Sequence, residues 1–61
     1  MTIKEARQAA KLTQQKVADA IGVSLRHYQR IDAGEVDVGE LSGRSFLALA
    51  DTLGVDPHDL L

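Results

Sequence analysis

The sequence contains no cysteine and no tryptophan, and it has only one tyrosine, one phenylalanine and one proline. The absence of cysteine excludes a disulfide framework and a thiolate zinc site. The two histidines, His27 and His58, lie far apart and have no carboxylates at ligand spacing, so we expect no metal. Long apolar runs and a signal peptide are also missing, which predicts a cytoplasmic protein without a membrane span.

Residue combinations typical of enzymes are absent too. The sequence has no catalytic-triad spacing, no glycine-rich loop of the kind that cradles phosphates, and no carboxylate pair suited to a cleft. We therefore predict that the protein is not an enzyme and uses no cofactor. Its 61 residues suffice for one small domain, residues 1–61, and a domain of this size buries only roughly 60% of its unfolded surface.

Charge is divided unequally between the two halves of the chain. The net charge is −2, which by itself argues against binding a polyanion. Residues 1–30, however, carry six basic and two acidic side chains, whereas residues 31–61 carry one basic and seven acidic ones. The basic half fits an electrostatic contact with phosphates, and we expect the acidic half to face away from any polyanion that binds there.

Residues 13–34, TQQKVADAIGVSLRHYQRIDAG, contain two short amphipathic helix patterns joined by a tight turn. Gly22 suits the turn because glycine adopts a positive φ without a Cβ clash. Ser24 can cap the later of these two helices, and the small Ala18 suits a close crossing of the two. The pattern predicts a helix-turn-helix whose later helix, near residues 25–33, exposes one side to a major groove.

Capping patterns predict five helix starts. Thr13, Ser24, Ser42 and Asp56 each have an apolar residue before them and another four positions later, which is the hydrophobic staple. A Thr-x-x-Glu capping box begins at Thr2. We therefore predict an all-α, compact fold of five helices near residues 3–11, 14–21, 25–33, 43–53 and 57–61.

Helical periodicity also predicts an aliphatic core. We expect Tyr28 to turn its ring inward while its hydroxyl reaches the edge of the domain. The connection over residues 34–42 carries Val36, Val38 and Leu41 and should pack back on the domain. The predicted core residues are Ile3, Ala6, Ala10, Val17, Ala18, Ile21, Tyr28, Ile31, Phe46, Leu49, Ala50 and Leu53.

The motif resembles the lambda-repressor-like (Cro and XRE type) helix-turn-helix family. The residues that carry the likeness are Leu12-Thr13-Gln14, Ala18, Gly22 and the stretch from Ile31 to Gly34. The segment FLALADTLGVDPHDLL also resembles the fourth and fifth helices of that family. The resemblance implies a five-helix DNA-binding domain in which Gln14 contacts the DNA backbone.

Two groups of residues are candidates for DNA contact. Gln14 and Lys16 lie at the start of the second helix, where free backbone N–H groups favour a phosphate. The third helix offers a capping Ser24 that can also donate to a phosphate, and Leu25, whose apolar side chain can read only a thymine methyl or pack on the domain. Its remaining candidates for base or phosphate contact are Arg26, His27, Gln29 and Arg30.

Two functions remain open at this point. The first is a sequence-specific double-stranded DNA-binding module of a transcriptional regulator of the repressor type, acting as a homodimer. The second is a protein-interaction module, such as an antirepressor, a modulator or an antitoxin-like partner of another regulator. The acidic half, the apolar loop over residues 34–42 and Leu25 favour the second, in which a protein partner would bind through that loop or through the C-terminal helix.

Overall fold

A computed structural model describes residues 2–60. Within these residues the chain forms four α-helices and no strand: α1 (Ile3–Ala9), α2 (Gln14–Ile21), α3 (Leu25–Asp32) and α4 (Gly43–Leu53). Two short 3₁₀ segments follow α3 and α4, at Val38–Glu40 and Pro57–Leu60. The all-helical prediction is therefore confirmed for the part described, whereas the count of five α-helices is not.

Each α-helix begins directly after a hydroxyl residue that caps it. Thr2, Thr13, Ser24 and Ser42 accept hydrogen bonds of 3.1 to 3.2 Å from the backbone N–H three residues later. The Glu5 carboxylate in turn accepts from the Thr2 N–H at 3.0 Å, which completes the predicted capping box. These four starts are as predicted, because capping depends on neighbouring residues and satisfies otherwise free N–H groups.

The predicted fifth helix is a 3₁₀ segment. The Asp59 N–H donates to the Asp56 carbonyl oxygen at 2.8 Å, three residues back, and the Asp56 carboxylate accepts from the His58 N–H at 2.9 Å. These local bonds favour a tight turn, and a segment of four residues offers little room for the longer-range bonds of an α-helix. The prediction of a helix over residues 57–61 was wrong in type, and Leu61 lies outside the described residues.

The core lies where α2 packs against both α3 and α4. Most of the predicted core residues are buried, among them Val17, Ala18 and Leu49, which have no exposed surface. Ala10, the residue that follows α1, is exposed, so the prediction that it lies in the core was wrong. Ile3 and Phe46 are only half-buried, while Leu60, which was not predicted, is buried.

The loop between α3 and α4 packs on the domain, as predicted. Val36 and Leu41 contact the core cluster. The Asp37 carboxylate accepts from the Gly39 N–H at 2.9 Å and begins the 3₁₀ turn at Val38–Glu40. The loop therefore has a defined shape, and its acidic side chains, Glu35, Asp37 and Glu40, are exposed.

Candidate nucleic-acid interface

The turn between α2 and α3 is built from a few local interactions. Gly22 has φ of 76°, which is the left-handed conformation predicted for it. The Val23 N–H donates to the Ala18 carbonyl oxygen at 3.0 Å and closes the end of α2. Ala18 is fully buried, as a close approach of the two helices requires. Because only three residues, Gly22 to Ser24, separate α2 from α3, the two helices form one unit of fixed shape.

The two sides of α3 differ sharply in burial. Tyr28, Ile31 and Asp32 are buried on the inner side. The opposite side is exposed and consists of Arg26, His27, Gln29 and Arg30. Leu25, the first residue of the helix, is half-buried, and the capping Ser24 is exposed. The structure thus brings the predicted base-contacting residues together on one accessible helix surface.

The start of α2 lies beside this surface of α3. The Gln29 Nε2 donates to the Gln14 Oε1 at 3.3 Å, so the side chains of the two helices are in contact. Gln14 is half-buried, whereas Lys16, two residues further along α2, is exposed. All eight predicted DNA-binding residues therefore belong to the helix-turn-helix unit, and the Gln14–Gln29 contact joins its two helices.

A polar cluster that the sequence analysis did not predict lies on the inner side of this surface. The Asp32 carboxylate accepts from Arg7 Nε at 2.8 Å, Arg7 Nη2 at 3.3 Å, Tyr28 Oη at 2.9 Å and Gln14 Nε2 at 3.1 Å. Arg7 Nη1 also donates to the Leu12 carbonyl oxygen at 3.0 Å, which ties down the α1–α2 connection. We call Arg7, Gln14, Tyr28 and Asp32 the Asp32 cluster; it links α1, α2 and α3.

The position of Tyr28 in this cluster corrects one expectation. Its hydroxyl does not reach the edge of the domain, because Tyr28 has no exposed surface and donates to buried Asp32. The position of Asp32 in the sequence does indicate that its carboxylate is buried. Asp32 follows Tyr28 by four positions and Ile31 by one, so the inward stripe of α3 includes a carboxylate that needs a buried partner.

Hydrogen bonding keeps the Asp32 carboxylate ionised. Burial alone would raise the pKa of Asp32, but the bonds from Arg7, Gln14 and Tyr28, together with the Arg7 charge, outweigh it and lower the pKa below its ordinary value. The bond to Asp32 raises the pKa of the Arg7 guanidinium. Burial, and then the bond to Asp32, raise the pKa of Tyr28, so its hydroxyl stays protonated as a donor.

The charges of the exposed side chains follow the division seen along the chain. Lys16, Arg26 and Arg30 are exposed on the helix-turn-helix unit. The exposed acidic residues of the second half lie on the α3–α4 loop, on α4 and in the C-terminal segment: Glu35, Asp37, Glu40, Asp51, Asp56 and Asp59. The outer side of α3 therefore combines a positive charge with polar groups that can donate and accept hydrogen bonds.

Within residues 2–60, no three histidine or acidic side chains cluster closely enough to hold a metal ion. No helix in the same stretch has the length and apolar character needed to cross a bilayer.

Comparison with known families agrees with this geometry. A family model described as Helix-turn-helix (HTH_3) matches residues 3–60, which is nearly the entire chain. Among curated proteins and solved structures, none matches. Because the family match includes α1, the helix-turn-helix unit and α4, the chain belongs to the HTH_3 family of lambda-repressor-like, XRE-type helix-turn-helix domains, which are DNA-binding regulators.

Proposed function

We propose that this chain is a sequence-specific double-stranded DNA-binding module of a transcriptional repressor. In this proposal α3 enters the major groove, with Arg26, His27, Gln29 and Arg30 toward base edges and phosphates. The start of α2 lies against the backbone, where Gln14 and Lys16 meet phosphates, and Ser24 at the start of α3 meets another phosphate. We propose no enzymatic activity, because the family is one of DNA-binding regulators.

The exposed outer side of α3 is the observation that supports the proposal most strongly. The outer side of α3 exposes four polar or basic residues, Arg26, His27, Gln29 and Arg30, while the inner side of the same helix is buried. A helix held this firmly from one side can enter a groove without rearranging, so little conformational entropy is lost on binding. Arginine suits guanine through its paired donors, and glutamine suits adenine, so this surface has the chemistry for direct readout.

The size of the domain favours a homodimer on DNA. Its principal extents are 24 × 24 × 18 Å, whereas half-sites read by paired recognition helices lie about 34–36 Å apart. One copy therefore covers a single half-site. We propose that two copies bind an inverted repeat, which raises specificity above what one short helix supplies.

A second function has its own supporting observation. A groove beside the α3–α4 loop is lined by apolar side chains of Ile3, Ile31, Val36, Val38 and Leu60. Exposed acidic residues lie on the same loop. This surface favours a protein-interaction module whose partner is another regulator with a basic, apolar segment.

Selection of bound sequences from a random duplex pool separates the two functions. The DNA-binding proposal predicts an enriched inverted repeat, and placing that repeat over a promoter should lower transcription of a reporter when the protein is present. Activation of the reporter would overturn the repressor assignment. If no sequence is enriched at moderate salt, the DNA-binding proposal fails and the protein-interaction function takes its place.

A further inference from the structure

A chain of hydrogen bonds, which we call the relay, runs from the buried Asp32 through Gln14 to the exposed Gln29. The Asp32 side chain is only 3% exposed, and its Oδ2 accepts from Gln14 Nε2 at 3.1 Å. Gln14 Oε1 in turn accepts from Gln29 Nε2 at 3.3 Å. We propose that Asp32 is a positioning residue for base recognition, which fixes the Gln29 amide through Gln14 so that Gln29 selects an adenine. This inference rests on the proposed DNA-binding function.

The direction of each amide follows from the chemistry of Asp32. An ionised carboxylate can only accept hydrogen bonds, so Gln14 must turn its NH₂ group toward Asp32 and its carbonyl oxygen away. That carbonyl oxygen can also only accept, so Gln29 must turn its own NH₂ group toward Gln14. Arg7 and Tyr28 hold the carboxylate in place with three further bonds. One buried charge therefore determines the orientation of two amides.

The fixed amide of Gln29 retains the groups that adenine recognition needs. Glutamine pairs with adenine by accepting from its N6 amino group and donating to its N7. One N–H of Gln29 is used by Gln14, which leaves the second N–H and the carbonyl oxygen. Among the described residues 2–60, Gln29 has no other side-chain hydrogen bond. A free glutamine can flip its amide, whereas this one presents a donor and an acceptor in a set arrangement.

The first step of the test identifies the base pair that Gln29 contacts. Affinity is measured for the selected duplex and for variants in which each A·T pair is replaced by G·C. Gln29→Ala should abolish the preference for A·T at one position of each half-site. A bidentate contact predicts a loss of about five- to 150-fold in the ratio of dissociation constants at that position.

Asp32→Asn then tests the relay itself. Oδ1 receives the shorter bonds, from Arg7 Nε at 2.8 Å and Tyr28 Oη at 2.9 Å, so the single oxygen of Asn should occupy that place. Its NH₂ group would then face Gln14. Gln14 must reverse its amide, and Gln29 must follow by turning its carbonyl oxygen inward. We expect Asp32→Asn to lose the A·T preference at the same base pair as Gln29→Ala.

Gln14→Ala and Gln15→Ala form a matched pair of variants. Gln14→Ala interrupts the relay without removing any Arg7–Asp32 bond, so it carries the test even where Asp32→Asn fails to fold. It should lose the same A·T preference although Gln29 is intact. Gln15 is the next residue along α2 and donates to Asp19 at 2.8 Å, away from the relay. Gln15→Ala should therefore keep the preference unchanged.

These measurements distinguish the positioning role of Asp32 from the DNA-binding function itself. If Asp32→Asn and Gln14→Ala weaken all duplexes equally and keep the A·T preference, Asp32 is merely structural and the inference is wrong. A Gln29→Ala protein with unchanged base preference would also overturn it, while DNA binding by the unaltered protein would stand. If the unaltered protein prefers no sequence at all, the proposed function itself fails.

Discussion

Removing the charged partner of Asp32 should destabilise the domain severely. In Arg7→Met, a side chain of similar length replaces the guanidinium, and Asp32 loses two hydrogen bonds and its neutralising charge. The two side chains are only 12% and 3% exposed, so water can replace little of what is lost. Leaving a buried charge without its partner costs about 3–5 kcal/mol. The Leu12 carbonyl oxygen also loses its donor.

This cost is comparable to the stability of the whole domain. Proteins are stable by about 0.05–0.15 kcal/mol per residue, which for a chain of this length is roughly 3–9 kcal/mol. We therefore expect Arg7→Met to be partly or wholly unfolded. Urea denaturation followed by far-ultraviolet circular dichroism measures the free energy of unfolding of both proteins.

Two further variants test the reason for the loss. Lys4→Met removes a positive charge from an exposed position of the same helix and should change the free energy of unfolding by no more than about 0.5 kcal/mol. Arg7→Met combined with Asp32→Asn removes the unpaired charge and should be more stable than Arg7→Met alone. Equal losses in Arg7→Met and Lys4→Met, or no recovery in the double variant, would show that the unpaired charge of Asp32 does not cause the loss of stability.

Further predictions concern pH, packing and DNA affinity. In the folded protein the pKa of Asp32 lies below its ordinary value of 3.8. The Asp32 carboxylate should therefore contribute fully to stability above that pH, and its contribution should be lost as the pH falls through the folded pKa. An acid-unfolding curve of Asp32→Asn identical to that of the unaltered protein would contradict this pH dependence. Ala18→Leu should cost about 1–3 kcal/mol in the free energy of unfolding, and an unchanged melting temperature would show that the helices do not cross closely there. Arg26→Ala should weaken binding to the selected duplex by about 1–3 kcal/mol relative to binding to random DNA. Lys16→Ala should weaken binding to both duplexes evenly and should lower the slope of affinity against salt concentration by about one unit. Binding isotherms with the reverse pattern would show that Lys16 contacts a base and Arg26 a phosphate.

Local patterns in the sequence predict the helix starts and the turn correctly. Thr13 and Ser24 cap α2 and α3, and Gly22 adopts a positive φ between them. These features depend on residues within a few positions of one another, so their spacing is visible in the sequence. The exposed side of α3 is equally predictable, because helical periodicity separates it from Tyr28 and Ile31.

The Asp32 cluster could not be predicted in the same way. Arg7 and Asp32 are 25 residues apart, and their pairing depends on how α1 packs against α3. The sequence shows that a carboxylate falls on the inward stripe, but it does not show which of several basic residues meets it. The link from Asp32 through Gln14 to Gln29 also depends on this packing.

The C-terminal segment shows a limit of another kind. A cap such as Asp56 can start an α-helix or a 3₁₀ turn, since both begin with a side chain that accepts from nearby N–H groups. In this chain the four residues Pro57–Leu60 form a 3₁₀ segment. Their contribution to packing comes from Leu60, which is buried and lies outside the set of residues that periodicity predicted.

NMR shows whether the helix-turn-helix unit contacts DNA through the outer side of α3. Titration of the isotopically labelled protein with the selected duplex reports which amides change their environment. We predict the largest chemical-shift changes over residues 24–30 and at Gln14 and Lys16, with small changes over residues 34–42 and in the C-terminal segment. Changes confined to residues 34–42 and the C-terminal segment, with residues 24–30 unaffected, would show that α3 does not contact the duplex.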